Sequence, residues 1–86
     1  MYEISFTKSA QKQFCKLPSS VQSQLQPVIE GLKTNPRPHG YTKLSGQLSG
    51  FFRVRSGSYR IIYSIDDGKL VVMLLKIGNR KEIYKK

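Results

Sequence analysis

The sequence is poor in the side chains that cross-link proteins or bind metals. It has a single cysteine, Cys15, and a single histidine, His39, in 86 residues. One cysteine excludes an internal disulfide, and one cysteine with one histidine cannot assemble a Cys/His metal cluster. His39 lies in the proline- and glycine-rich stretch NPRPHGY. That composition predicts a loop and argues against a catalytic triad built on histidine.

Long apolar segments are also missing. The N-terminus, MYEISFTKSA, lacks the apolar run of a signal peptide, and no segment is apolar over the roughly 20 residues that a membrane-spanning helix needs. Together with the single cysteine, this predicts a soluble protein of a reducing compartment, the cytoplasm, without a membrane partner.

Acidic residues are scarce, whereas basic residues are abundant. Five Asp and Glu face 15 Lys and Arg, which gives a net charge of +10. A field of this sign favours polyanions: nucleic acid, an acidic membrane surface or an acidic protein. The plainer interpretation, a basic protein that is merely soluble, explains less because the excess is large for so short a chain. The length predicts one domain, residues 1–86.

The order of periodic segments predicts an α+β fold. Residues 2–6 alternate like a strand, and two helical segments follow, the first ending at Pro18 and the second by Asn35. After a loop over 36–50 with a possible short extended piece, three antiparallel strands are predicted at 51–55, 59–65 and 69–78. Both helices have one apolar stripe, so we expect them to cover one face of one sheet, with a short C-terminal arm beyond it.

The two hairpin turns, Gly57-Ser58 and Asp67-Gly68, predict which side chains share a face. The face toward the helices is expected to hold Phe52, Val54, Ile61, Tyr63 and Ile65. The last strand is expected to add Leu70 opposite Ile65, Val72 opposite Tyr63 and Leu74 opposite Ile61. The outward face holds Arg53, Arg55 and Arg60, together with Ile62, Val71, Met73 and Leu75.

Arg55 is expected directly opposite Arg60, and like charges in that position destabilise a sheet. Three converging arginines are better explained by an anion between them, since the guanidinium fork suits phosphate oxygens. The apolar residues on the same face predict that a partner protein covers part of it.

An ordered set of short motifs runs from Lys43 to Tyr84 in KLSGQLSGFFRVRSGSYRIIYSIDDGKLVVMLLKIGNRKEIY. It contains KL-x-G, an aromatic with alternating basic residues, G-x-YR-x-x-Y, an aspartate-rich turn, a hydrophobic strand and G-x-R-x-x-x-Y. The set resembles the RelE/ParE superfamily of bacterial type II toxins, in its RelE-like branch. The strand YEISFTKSA and the helical hairpin also fit, so the resemblance covers essentially the whole chain.

The resemblance implies a ribosome-dependent endoribonuclease that needs neither metal nor cofactor. Such toxins enter the A site of the 70S ribosome and cut the mRNA codon there, using the 2′-OH of the RNA as the nucleophile. The family's basic positions match Arg53, Arg55, Arg60 and Arg80, and its base-stacking tyrosine matches Tyr84. The implied catalytic residues are these five. Arg53 and Arg55 would also bind RNA, as would Lys43 and Lys81.

The chain departs from the family pattern at two points. Some relatives have lysine where this chain has Arg53 and Arg55, and arginine cannot be deprotonated in a protein. Many relatives have histidine in the G-x-R element, where this chain has Asn79. The general base is therefore unassigned.

The resemblance also implies partners: a cognate RelB-like antitoxin, ribosomal RNA, mRNA, and promoter DNA only as the toxin–antitoxin complex. Two other functions stay open from the sequence. One is a ParE-like toxin that poisons DNA gyrase and cuts no RNA. The other is a basic nucleic-acid-binding module without catalysis.

Overall fold

The chain folds as one mixed sheet with two helices on one face, in a computed structural model that describes residues 1–79. The elements in chain order are β1 (Glu3–Phe6), α1 (Lys8–Cys15), α2 (Ser19–Thr34), β2 (Thr42–Lys43), a 3-10 turn (Gly46–Leu48), β3 (Phe52–Ser56), β4 (Tyr59–Asp66) and β5 (Val71–Asn79). This confirms the predicted α+β class. None of the helices in this part of the chain is long and apolar enough to cross a membrane.

The helices begin and end where the sequence signals lie. The Thr7 hydroxyl accepts a hydrogen bond from the Ala10 N–H at 3.0 Å, so Thr7 caps α1. Pro18 separates the two helices, and α2 ends at Thr34, two residues before Pro36. Leu25, Ile29 and Leu32 form the buried stripe of α2.

The strand order in the sheet is β1-β5-β4-β3-β2. The last three strands form the predicted antiparallel meander, and β2 extends it antiparallel to β3. β1 pairs in parallel with β5, so the chain's first strand joins the sheet beside its last. Helix and sheet residues meet in one core: Ala10, Leu25, Ile29, Leu32, Val54, Ile61, Tyr63, Val72, Leu74 and Ile77.

The first hairpin has the predicted register, but the second does not. Gly57 takes φ +62, as the first residue of the predicted turn requires. In the second hairpin the loop runs from Asp67 to Leu70, so Val72 faces Ile65, two residues further along β5 than predicted. Because the shift is even, Val72 and Leu74 keep the predicted inward face. Leu70 instead falls in the loop and is exposed, so its predicted place in the inward layer is wrong. The longer loop forms because Asp66 accepts from the Lys69 N–H at 3.0 Å and Leu70 takes φ +57.

A bulge at Leu75 changes the end of β5. Ile62 pairs with Lys76 and Tyr63 with Leu74, so Leu75 has no partner across the ladder. Residues of the α1 segment bind the backbone here: the Thr7 hydroxyl donates to the Leu75 carbonyl at 3.3 Å, and Gln13 Oε1 accepts from the Ile77 N–H at 2.8 Å.

Candidate active site

Three arginines lie together on the sheet face opposite the helices, and we call Arg53, Arg55 and Arg60 the basic cluster. Arg55 and Arg60 are direct partners across the ladder, and Arg53 precedes Arg55 by two residues on the same strand. Side chains two apart on a strand point to the same face. The hairpin register therefore confirms that the three predicted arginines share one face.

The three members differ sharply in exposure. Arg60 is only 5% exposed and is the one buried charged side chain within residues 1–79. Arg53 is half-buried and Arg55 is exposed. Removing a guanidinium from water costs free energy that its surroundings must offset. The cluster thus passes from a fixed, desolvated cation at Arg60 to a solvated one at Arg55.

β2 holds one member of the cluster in place. Thr42 pairs with Arg53, and Arg53 Nη2 donates to the Thr42 hydroxyl at 3.3 Å. The next residue, Lys43, pairs with Phe52, which packs against the core. Lys43 therefore points to the opposite face, and the structure does not bring it to the basic cluster.

The bulge at Leu75 adds a cation that the sequence did not reveal. It places the exposed Lys76 opposite Ile62, on the same face as Arg53 and Arg60. Ile62 also pairs with Arg53 on its other side. Arg53 and Lys76 therefore lie on either side of Ile62, on strands that are roughly 10 Å apart. No motif identifies Lys76. In a strand without the bulge, its side chain would point to the same face as Val72 and Leu74, toward the helices.

The apolar part of this face is less open than the sequence suggested. Ile62 is 2% exposed, and Val71, Met73 and Leu75 are half-buried. Ile62 is therefore covered already, and the prediction that a partner protein covers part of this face concerns Val71, Met73 and Leu75.

Two acidic residues, Glu30 and Asp67, form ion pairs away from the basic cluster. Glu30 pairs with Lys33 at 3.1 Å, and Asp67 pairs with Arg37 at 2.9 Å. The Arg37 guanidinium and the Tyr2 hydroxyl, which donates to Asp67 at 2.6 Å, lower the pKa of Asp67. Neither ion pair includes a member of the basic cluster, so these negative charges do not neutralise it directly.

The cluster can bind and stabilise a phosphate but has no member that exchanges a proton near neutral pH. Guanidinium groups donate hydrogen bonds and stay charged. His39 is exposed at a turn between α2 and β2 and is not part of the cluster. No three metal-ligating side chains gather in residues 1–79. Asn79 ends β5, opposite Tyr59, whereas Arg80, Lys81 and Tyr84 lie outside the described residues.

The chain is similar to toxins along its whole length. The family model for the ParE toxin of the type II toxin–antitoxin system parDE matches residues 4–84. Toxin RelG of Mycobacterium tuberculosis is 33% identical, over 99% of this chain and 98% of RelG. The mRNA interferase toxin RelE of Escherichia coli K12 is also 33% identical, over 96% of this chain and 90% of that protein.

Solved structures agree with the sequence relatives. The isolated E. coli RelE toxin superposes with a TM-score of 0.80 at 30% identity, covering 98% of this chain and 92% of that one. A chain of the RelBE2 toxin–antitoxin complex from M. tuberculosis gives a TM-score of 0.83 at 30% identity, covering 92% and 98%. The chain therefore belongs to the RelE/ParE superfamily of toxins from type II toxin–antitoxin systems.

Proposed function

We propose that this toxin is an endoribonuclease that cuts mRNA in the ribosomal A site and so inhibits translation. The single observation that supports this best is the pair Arg55–Arg60, in which a buried guanidinium lies beside an exposed one with Arg53 adjacent. A relative at 33% identity is named an mRNA interferase. A phosphodiester is the anion that an interferase must bind.

The reaction is a transesterification within the RNA. The 2′-oxygen attacks the adjacent phosphorus, the bond from phosphorus to the 5′-oxygen breaks, and the products are a 2′,3′-cyclic phosphate and a 5′-OH. The proton of the 2′-OH leaves as the new bond forms, and the 5′-oxygen gains a proton as it departs. Negative charge grows on the phosphoryl oxygens, and fixed guanidinium donors stabilise it.

Arg60 is assigned to the phosphoryl oxygens, because burial strengthens its electrostatic effect. Arg53 and Arg55 hold the RNA backbone and the scissile phosphate. Arg80 shares the charge or assists the leaving 5′-oxygen, and Tyr84 stacks on a base of the codon, as the family pattern implies. The base that accepts the 2′-OH proton is unassigned among these residues, and ribosomal RNA contributes to positioning.

The toxin's proposed protein partner is an acidic, amphipathic antitoxin of the RelB type. Related toxins have been solved as RelB complexes from E. coli and Pyrococcus horikoshii. The net charge of +10 favours such a partner. The complex, and not the toxin alone, would bind promoter DNA.

The product ends test the proposed chemistry. RNA fragments from ribosomes treated with the toxin should resist 3′ ligation until the cyclic phosphate is removed, and their 5′ ends should accept a phosphate. A 2′-O-methyl group on the attacking ribose should prevent the cut. Fragments with 3′-OH and 5′-phosphate ends would contradict the mechanism.

A second candidate function is ParE-like poisoning of DNA gyrase. The matching family model, described as the ParE toxin, favours it. In that case induction of the toxin would stop growth, inhibit gyrase supercoiling in vitro and leave mRNA on ribosomes uncut. A non-catalytic nucleic-acid-binding module would be tolerated by growing cells.

A further inference from the structure

Lys76 on β5 lies on the same face of the sheet as the basic cluster. Lys76 pairs with Ile62, and the cluster member Arg60 lies two residues before Ile62 on β4. Lys76 and Arg60 are therefore diagonal neighbours, and the Cβ atoms of such neighbours are about 7–8 Å apart in an antiparallel pair. Long side chains reach across that distance. A phosphate held by Arg60 is thus within reach of the Lys76 ammonium.

The residue of β5 directly opposite Arg60 has no side chain. Arg60 pairs with Gly78, and the side chain of the intervening Ile77 is buried in the core. Lys76 is therefore the nearest side chain that β5 places on this face beside Arg60. Arg55 lies on the other side of Arg60, on β3. A phosphate on the pair Arg55–Arg60 would meet the lysine from the side of β5.

Contacts with the α1 segment fix the backbone on both sides of Lys76. The Thr7 hydroxyl donates to the Leu75 carbonyl at 3.3 Å, and the Ile77 N–H donates to Gln13 Oε1 at 2.8 Å. The Lys76 side chain itself is exposed, and neither ion pair found within residues 1–79 includes it. The lysine is thus fixed at its backbone, while its ammonium is available to a ligand.

Lysine supplies what the basic cluster lacks, which is a proton that can be transferred. A guanidinium stays charged in a protein, whereas a lysine ammonium can give up a proton and recover it. The proposed cleavage needs such a proton, because the 5′-oxygen departs as a hydroxyl. In the two rows of paired residues that contain Arg53 and Arg60, Lys76 is the one side chain that can supply it.

We propose that Lys76 is the general acid of the cleavage reaction. This inference rests on the function proposed above. As the 2′-oxygen bonds to phosphorus, the bond from phosphorus to the 5′-oxygen breaks, and its electron pair stays on the 5′-oxygen. That oxygen takes a proton from Lys76 Nζ and leaves as a hydroxyl. The neutral amine recovers a proton from water and the 2′-OH proton is released to water, so no net proton is gained or lost.

The test separates the proton of Lys76 from its charge. Lys76→Arg keeps the positive charge but removes the transferable proton, and Lys76→Ala removes both. Lys69→Arg makes the same exchange at an exposed lysine in the turn before β5 and is the matched control. Cleavage on programmed ribosomes is measured at saturating toxin, so that weaker RNA binding does not lower the rate.

Two synthetic mRNAs are compared, one ordinary and one with sulfur in place of the 5′-oxygen at the bond that is cut. A thiolate leaves without a proton donor, because a thiol is far more acidic than an alcohol. With ordinary mRNA, both Lys76 variants should be slower than the wild type by about 100-fold or more. With the sulfur-containing mRNA they should cut at the wild-type rate. Lys69→Arg should match the wild type on both.

Wild-type cleavage of ordinary mRNA by Lys76→Arg would overturn the assignment, because charge alone would then suffice. Equal slowing of the Lys76 variants on both mRNAs would also overturn it. Arg60→Ala should stay slow on both, and its full rescue by sulfur would show that the rescue does not report a proton from Lys76. In all these cases the wild type still cuts, so the endoribonuclease stands. If wild-type toxin cuts neither mRNA, the proposed function fails, and the role of Lys76 fails with it.

Discussion

Arg55 on β3 lies directly opposite Arg60 on β4, and Arg60 is buried. Two cations facing each other across a ladder destabilise the pair of strands, and the burial of one of them adds a desolvation cost. A bound phosphate reverses the sign of this interaction, because its oxygens accept from both guanidinium groups. The cluster is thus better suited to an anion-bound state than to the free protein.

Replacing Arg60 should abolish the activity while leaving the protein folded. Arg60→Ala removes the donor that we propose for the developing phosphoryl charge, so cleavage should fall by about 100-fold or more. Induced cells should keep growing, and the circular dichroism spectrum should stay that of the wild type. Lys12→Ala, which removes an exposed cation from α1, is the control and should remain toxic. A folded, fully toxic Arg60→Ala protein would refute the assignment of Arg60.

Replacing Arg55 should make the free protein more stable and the enzyme weaker. Arg55→Gln removes the like charge opposite Arg60, which should raise the free energy of unfolding by about 0.2–1 kcal/mol. Cleavage should slow because one of the proposed phosphate donors is missing. Added phosphate should raise the melting temperature of the wild type more than that of the variant. An equal response to phosphate in both proteins would contradict an anion site at this pair.

Tyr63 should stabilise the fold most clearly below pH 10. Its hydroxyl donates to the Pro36 carbonyl inside the core, so Tyr63→Phe should cost about 1–2 kcal/mol at neutral pH. Burial raises the pKa of Tyr63 from 10.0 to about 12. The folded state therefore favours the protonated form, and this stabilisation is complete below pH 10 and is lost as the pH rises toward 12.

Denaturant titrations of both proteins at neutral pH and above pH 10 measure this effect. The difference in unfolding free energy between wild type and Tyr63→Phe should shrink over that alkaline range. A constant difference would show that the hydroxyl does not titrate as its burial requires.

Asp67 should contribute to the loss of stability as the pH falls into the acid range. Arg37 and then Tyr2 lower its pKa from 3.8, so the folded state favours the carboxylate. This contribution is present above the unfolded pKa and is lost as the pH falls through the lower folded value. Between pH 5 and roughly 2, the melting temperature should therefore fall less steeply with decreasing pH for Asp67→Asn than for wild type. Glu3→Gln is the comparison variant, and identical slopes for all three proteins would contradict the role of Asp67.

The sequence predicted the basic cluster because it depends on local chemistry. Gly57-Ser58 determines the turn, the turn determines the register, and strand alternation then places Arg53, Arg55 and Arg60 on one face. These steps involve neighbours along the chain and need no knowledge of the core.

The features that the sequence missed depend on contacts between distant residues. Gln13 binds the backbone of Ile77, 64 residues away, beside the bulge that turns Lys76 outward, and no periodicity in α1 or β5 indicates it. The sheet face on which Lys43 lies depends on the short pairing of β2 with β3. The sequence of this segment resembles a loop and does not reveal that pairing. The prediction of a two-residue turn at Asp67-Gly68 was wrong. The hydrogen bond to Asp66 and the positive φ of Leu70 lengthen this turn to four residues.

The most direct test of the account is mRNA cleavage by the purified toxin on programmed ribosomes, mapped by primer extension with naked mRNA beside it. We predict cuts within the A-site codon that require the ribosome and disappear in Arg60→Ala. The absence of cuts in both samples, with folded toxin that still arrests growth, would contradict the endoribonuclease function and direct attention to gyrase.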